Sequence, residues 1–535
     1  MNPLLSDSSL PLFGEIDPSH VEEAIAARIA EASAELDAIE AAPEASYAGL
    51  VERLDRSAER LTLPWGTVGH LMAVKNSQSL REAYEAMQPQ VVQLSMRFGQ
   101  SRAIYDALKA IRDGDAFRDL SSTQQRIVEL SIRDSELSGV GLDGSAKERF
   151  NEIALELSKL QTDFSNHVLD ATKAYSMTLT DRADVEGLPE SVIGLLVAAA
   201  KEAGHAEASA ESGPWVVTLA FPSFVGFMKH SPRRARREEL YRAYVTRASA
   251  GDIDNSPLLD RILTLRTEKA KLLGFDTFAE LSLATKMAPG IEAVDTLLEE
   301  LRASSVEAAR QDVDDLRELA RSRGAPESEE FKPWDFHFWS ERLREERFDI
   351  REEEVRQYFP MERVLEGLFS LTQDLFKVSI REATERPSVW HDDVRYFEVL
   401  DPGGAVVAGF YFDAFSRPSE KRGGAWMNDV LGRSKTLAPR GSAVRNPVAH
   451  MVCNGTPPVD GKPSTMTFSE VETLFHEFGH ALQHMLTRID DVQAAGINNV
   501  EWDAVELPSQ FMENWVYLKH SIRHRLPGFH VTGHP

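Results

Sequence analysis

"TLFHEFGHALQHML", residues 473–486, sets three histidines at intervals of four, with a glutamate directly after the first. Residues four apart on an α-helix lie one turn above each other, so His476 and His480 project from one face and can reach one point. Glu477 is turned by about 100° from His476, close enough to touch a water at that point without occupying it. H-E-x-x-H thus supplies two neutral nitrogen ligands and a carboxylate base. Thr467 and Glu470 form a capping-box pattern, which predicts a helix beginning near Phe468. Val471, Leu474, Phe475, Phe478, Leu482 and Met485 make much of its surface apolar. Two unpartnered imidazoles buried there would be costly without an ion, which favours metal binding over satisfied core histidines. His484 lies about 12 Å along the axis from His476, too far to share a tetrahedral ion, and reads as a supporting or structural residue.

A catalytic ion of this kind needs a third protein ligand and keeps its fourth position for water. Downstream stands "NNVEWDAVELPSQFMENW", with Glu506 placed 26 residues after His480. The interval lets one helix end, the chain reverse and a second helix pack alongside. Glu501, Asp503 and Glu506 all compete, and spacing alone does not choose among them, although Asp503 reads as a helix N-cap.

Elsewhere helical periodicity dominates. Ser19 with Glu22 and Ser145 with Glu148 match capping boxes, each followed by an apolar stripe: Ile25, Ile29, Leu36 and Ile39 in the first, Phe150 to Val168 in the second. The stretch 200–214 breaks the pattern, which suggests an N-terminal helical region over 1–203 and a catalytic region over 204–535. "WVVTLAF" (215–221) reads as a short strand. "RRARREELYRAYVTRA" reads as a solvated helix face with internal ion pairs. Between 390 and 455, "VRYFEVL" and "AVVAGFYFDAF" flank the turn signal "DPGG", and "NPVAHMVCN" makes a third strand. That strand, just ahead of the histidine helix, is a candidate to align an extended peptide by strand addition. The glycines of "KRGGAW" (421–426) suit close approach of backbone to a ligand, or an ordinary loop. The expected fold is mainly α with one small antiparallel β-sheet.

The bulk numbers narrow the function classes. The 535 residues carry 85 Asp plus Glu against 59 Lys plus Arg, a net charge of −26. Such a surface repels phosphate backbones and anionic lipid, so nucleic acid and membrane are not expected partners. No export signal and no membrane-length apolar run stand out. Cys453 is the sole cysteine, which excludes an intrachain disulfide and fits a reducing, cytoplasmic compartment. It reads as a small buried hydrophobe rather than a nucleophile.

"FHEFGHALQHML" followed by "WDAVELPSQFMENW" resembles the zinc site of the thimet oligopeptidase group, and the bacterial oligopeptidase A branch within it. "NPLLSDSSLPLFGEIDPSHVEEAI", "REELYRAYVTRAS", "LATKMA", "WDFHFWSERLRE", "GFYFDAFSRPSEKRGGAWM" and "MVCNGTPPVDGKP" resemble that branch too, so the likeness runs from residue 1 to about 517. The resemblance implies a zincin-like, two-lobed helical body with a deep channel that admits short peptides as a monomer. It implies one Zn2+ ion on His476, His480 and Glu506, with Glu477 as general base, hydrolysing internal peptide bonds.

Members of that family continue further, with helices and a Gly-rich stretch whose tyrosines and histidine hydrogen-bond the oxyanion. Here, the 22 residues after Glu513 hold no acid, and the atypical tail 518–535 holds four of the fifteen histidines. The expectation is an ending that is out of frame or otherwise aberrant, with the C-terminal helical part missing. The alternative function is therefore a catalytically impaired homologue that binds metal or peptide without efficient turnover, since one lost oxyanion donor costs on the order of 10²–10³ in kcat.

Overall fold

In the computed structural model, which describes residues 2–458 and 463–518, the histidine helix lies across a five-stranded sheet. The strands are β3 (Ser379–Glu382), β4 (Arg395–Leu400), β5 (Val406–Phe415), β6 (Trp426–Leu431) and β7 (Val448–Gly455), following a separate antiparallel pair, β1 (Ser176–Leu179) and β2 (Trp215–Thr218). Their order across the sheet is β3-β4-β5-β7-β6. The "DPGG" hairpin forms as its turn residues dictate, with Asp401 and Ala405 closing it.

The expectation of one purely antiparallel sheet needs correcting. β7 inserts between β5 and β6, antiparallel to β6 but parallel to β5, so the sheet is mixed. Insertion also pairs both of its edges. Over Val448–Val452 β7 therefore has no free backbone row for an extended peptide, and strand addition is blocked along that part of "NPVAHMVCN"; the pairing with β6 stops at Val452.

Successive side chains on a strand point to opposite faces, and β7 divides its contacts accordingly. Val448, His450 and Val452 face a core built with the N-terminal helices, whose members include Val21–Ala41, Glu52–Val74 and Gln78–Gly99. Ala449, Met451 and Cys453 face the opposite way, against the helix Phe468–Met485. A third core joins β1 and β2 to the helices Glu190–Glu202 and Phe221–His230, with apolar residues drawn from both sides of residue 203.

Two of the expected helix starts are displaced. Val21–Ala41 is preceded by a short 3-10 turn, Pro18–His20, capped by Asp17; the Ser19 hydroxyl donates to Asp17 instead of capping the helix. Gly144–Ala174 begins one residue before Ser145, with Asp143 at its N-cap. The basic helix Arg234–Val245 is only partly solvated. Arg236 and Arg242 pair with Glu239 and Glu238, but Arg237 is fully buried, donating to Asp335 at 3.0 Å and to the Ser231 and Trp334 carbonyls.

The loop between β5 and β6 is anchored by a buried ionic cluster. Asp413 accepts from Arg417, from Lys421 at 2.8 Å and from the Trp390 indole at 2.8 Å. Lys421 also donates to the carbonyls of Phe415 and Cys453, which satisfies a fully buried ammonium. The tail 519–535 lies outside the described residues. No helix among the described residues is long and apolar enough to cross a membrane.

Candidate metal centre

The helix Phe468–Met485 starts where its capping box predicts. The Thr467 hydroxyl accepts from the Glu470 N–H, and Glu470 returns the bond to the Thr467 N–H at 2.7 Å. Its apolar residues Val471, Leu474, Phe475, Phe478, Leu482 and Met485 are all buried. His476 and His480 project together, with ring centroids 5.0 Å apart.

After the helix the chain reverses through Gly496, whose φ of +67° is one that glycine adopts without a Cβ penalty. A side chain at 496 would also collide with His484. The return carries a second, short helix, Leu507–Glu513, directly over Gly479. This crossing brings the N-cap residue Glu506 to the histidines. Its Oε2 stands 3.2 Å from His476 Nε2 and 3.1 Å from His480 Nε2.

The three acidic candidates downstream thus separate. Only Glu506 meets the imidazoles. Glu501 pairs with Arg126 at 2.8 Å, and Asp503 is not a helix N-cap: its two oxygens accept from the Met287 and Ala288 N–H groups. His484 is fully buried and its Nε2 lies 3.0 Å from the Leu431 carbonyl oxygen, a structural contact that ties the helix to the end of β6.

The donor set fits a divalent ion. Ligand atoms around a tetrahedral ion with bonds of about 2.0–2.1 Å stand about 3.3 Å apart, close to the separations here. Burial pushes His480 below its ordinary pKa, which favours the neutral imidazole, the form with a lone pair for an ion. Two imidazole nitrogens and a carboxylate oxygen converging in this way form one of the donor groups able to hold a metal.

Glu477 is buried, close enough to His476 and Glu506 to feel both and close enough to Cys453 on β7 to act on its thiol. Burial raises its pKa to about 7, with His476 opposing and Glu506 assisting the rise. Burial and then the nearby Glu477 push the Cys453 thiol up to about 12, which keeps it protonated and inert at neutral pH.

Sequence reasoning missed one neighbour of the site. His476 Nδ1 lies 2.5 Å from Glu513 Oε1. Glu513 is seven residues beyond Glu506, two helical turns, so both carboxylates fall on the face turned to the histidines; that spacing was the available signal.

A cavity of about 620 Å³ opens beside the helix, bounded there by Glu470, Thr473 and Leu474. The glycines of "KRGGAW" line it, as do Phe164 and Val168, at the far end of the apolar stripe that starts at Phe150. Asn454, at the end of β7, pins this glycine loop by donating to the Arg422 and Gly424 carbonyls.

Residues 227–525 match the sequence model of Peptidase family M3, and residues 25–147 match that of the neurolysin/thimet oligopeptidase N-terminal domain. The chain is 52% identical over 521 residues to organellar oligopeptidase A of Arabidopsis thaliana, covering 97% of this chain and 66% of that protein. It is 40% identical over 541 residues to oligopeptidase A of Escherichia coli (strain K12), covering 100% of this chain and 77% of the relative. The chain therefore spans about two thirds to three quarters of the length of these relatives. Among solved structures, PZ peptidase A with inhibitor 2 shares the fold at a TM-score of 0.51 and 14% identity, over 94% of this chain and 69% of that one. With more than half its length matched by the family's model, and relatives this similar across nearly all of it, the chain belongs to Peptidase family M3, in its thimet oligopeptidase and oligopeptidase A group.

Proposed function

We propose that this protein is a zinc-dependent oligopeptidase that hydrolyses internal bonds of short peptides. The observation that carries the reading is the meeting of His476 Nε2, His480 Nε2 and Glu506 Oε2, with Glu477 beside it on the same helix. His476, His480 and Glu506 would hold one Zn2+. When bound, that ion polarises a peptide carbonyl and lowers the pKa of water.

The protein's own contribution is positional and basic. Glu477 takes a proton from the attacking water and returns it to the departing amine. Its buried setting brings the carboxylate's pKa near 7, where both the uptake and the release of a proton are feasible. The glycine loop and the adjoining cavity supply a surface along which an extended chain can lie close to backbone. Membership of a peptidase family supports peptides as the substrate class.

A quenched-fluorescence peptide assay on the purified chain tests the reading, with and without a chelator and with Glu477→Gln alongside. The expected result is cleavage that the chelator abolishes and zinc restores, lowered about 10²–10⁴-fold by the substitution. Stoichiometric zinc without chelator-sensitive cleavage would leave a metal- and peptide-binding protein in place of an enzyme.

A further inference from the structure

The cavity beside the histidine helix is mostly apolar, yet two arginines that are not in ion pairs border it. Arg247 and Arg422 both line it. Among the described residues no carboxylate stands in ion-pair range of either one. Arg247 is held by its neighbours, donating to the Tyr244 carbonyl at 2.9 Å and to the Thr172 hydroxyl at 3.1 Å, and it stacks on the Tyr244 ring. Arg422 stacks on Trp426, its guanidinium carbon 4.6 Å from the ring centroid. Its backbone is fixed at both ends, by the Ala73 carbonyl on its N–H and by Asn454 on its own carbonyl.

The other charges on the cavity wall are already matched. Lys421 is neutralised by Asp413. Glu470 accepts from Thr456 through one oxygen and from Thr467 through the other, so its carboxylate is committed to the helix cap. Two arginines with no acid partner, in a chain of net charge −26, therefore border a chamber otherwise built for apolar groups, with Arg422 on the wall it shares with a second cavity that Trp426 lines. A planar guanidinium held by stacking is pre-organised for two-point recognition of a carboxylate.

We propose that this cavity receives a carboxylate of the bound peptide, with Arg422 and Arg247 as its cationic anchors and an apolar side chain packed beside it on Phe412, Met466 and Leu474. The inference rests on the peptidase reading for the identity of the ligand as a peptide. The helix wall of the cavity runs from Glu470 to Leu474, about 3–9 Å along the axis from His476 at 1.5 Å per residue. In an extended chain that distance places the carboxylate within about one to three residues of the bond cleaved. Its source is either the peptide's own C-terminus or an acidic side chain.

The test is fluorescence anisotropy with labelled short peptides, on the full chain carrying Glu477→Gln and loaded with zinc. One peptide pair differs by a free or amidated C-terminus, and a second by Glu or Gln in the body of the peptide. The proposal expects the carboxylate member of at least one pair to bind about ten- to hundredfold more tightly. Arg422→Gln should erase that preference, weakening the carboxylate member's binding more than the neutral member's, and Arg247→Lys should retain more of it than Arg247→Gln. Whichever pair discriminates identifies the source. Equal binding within both pairs overturns the proposal, as does an Arg422→Gln loss that is the same for charged and neutral peptides. Zinc uptake is measured separately. Discrimination without zinc binding would remove the metallopeptidase reading alone, and zinc binding without discrimination would remove this inference alone.

Discussion

Gly479 lies against the backbone of Ser509: a Cβ built at 479 would stand 2.6 Å from the Ser509 Cα and 2.6 Å from the Pro508 carbonyl oxygen. The residue just before His480 is thus the point at which the helix Leu507–Glu513 crosses the helix Phe468–Met485. Glycine in a helix normally costs about 1 kcal/mol relative to alanine. Here the close approach it permits is what brings Glu506 to the imidazoles. Gly479→Ala should push the short helix outward, destabilise the fold by about 1–3 kcal/mol and weaken zinc binding although no ligand is changed. Competition with a chromophoric chelator measures it, and wild-type zinc affinity in this variant would show that the crossing does not set the site.

The parts legible in the sequence were those governed by neighbours in the chain. The capping box at Thr467, the stacking of His476 over His480 and the hairpin at "DPGG" are all local, and each forms as its residues dictate. The parts that were not legible depend on distant segments. Asp503 gives up the N-cap role because its oxygens meet the backbone of Met287 and Ala288, more than 200 positions earlier. β7 pairs with β5 in parallel because β6 has moved to the outer edge, a choice that no single strand's composition encodes. Arg237 looked solvated because its partner Asp335 lies on another element 98 residues away.

The Asp413–Lys421 pair yields a second prediction. Lys421 is fully buried and burial lowers its pKa to about 8 despite the opposing pull of Asp413. Removing the acid strands the ammonium, a loss that typically costs about 3–5 kcal/mol. Asp413→Asn should therefore lower the denaturant midpoint sharply, while the double variant Asp413→Asn, Lys421→Met should recover a large part of the loss. A double variant no more stable than the single would mean the packing around Asp413, not the charge, matters.

Asp55 provides a pH-dependent case away from the metal centre. Burial raises its pKa from 3.8 to about 6; Gln493, donating at 2.7 Å, opposes the rise, while Asp491, Glu52 and Glu59 add to it. Between about pH 4 and 6 the folded protein holds this proton and the unfolded chain releases it. The contribution to stability is thus present below pH 4 and lost as pH climbs through 6. Asp55→Asn should stabilise the protein by on the order of 1–2 kcal/mol at pH 7.5 and by nothing at pH 4. Denaturant melts of both proteins across this range check it, and a pH-independent difference would assign the effect to the hydrogen bond with Gln493.

Glu513 gives the last prediction, because it acts through His476. With the Nδ1–H donated to the Glu513 carboxylate, the imidazole is fixed in the tautomer whose Nε2 lone pair faces Glu506 and His480. His480 has no such support, since its Nδ1 is buried without a hydrogen-bond partner among the described residues. Of the two histidines, His476 should then be the one whose orientation depends on an outer carboxylate. Glu513→Ala should weaken zinc binding about 10–100-fold. Glu513→Gln, whose amide oxygen still accepts the Nδ1–H but carries no charge, should fall between that variant and the wild type. Calorimetric zinc titration of the three proteins, with the melting temperature of each metal-free form as the control for folding, separates positioning from stability. An affinity unmoved in Glu513→Ala would mean that the helix backbone alone orients His476.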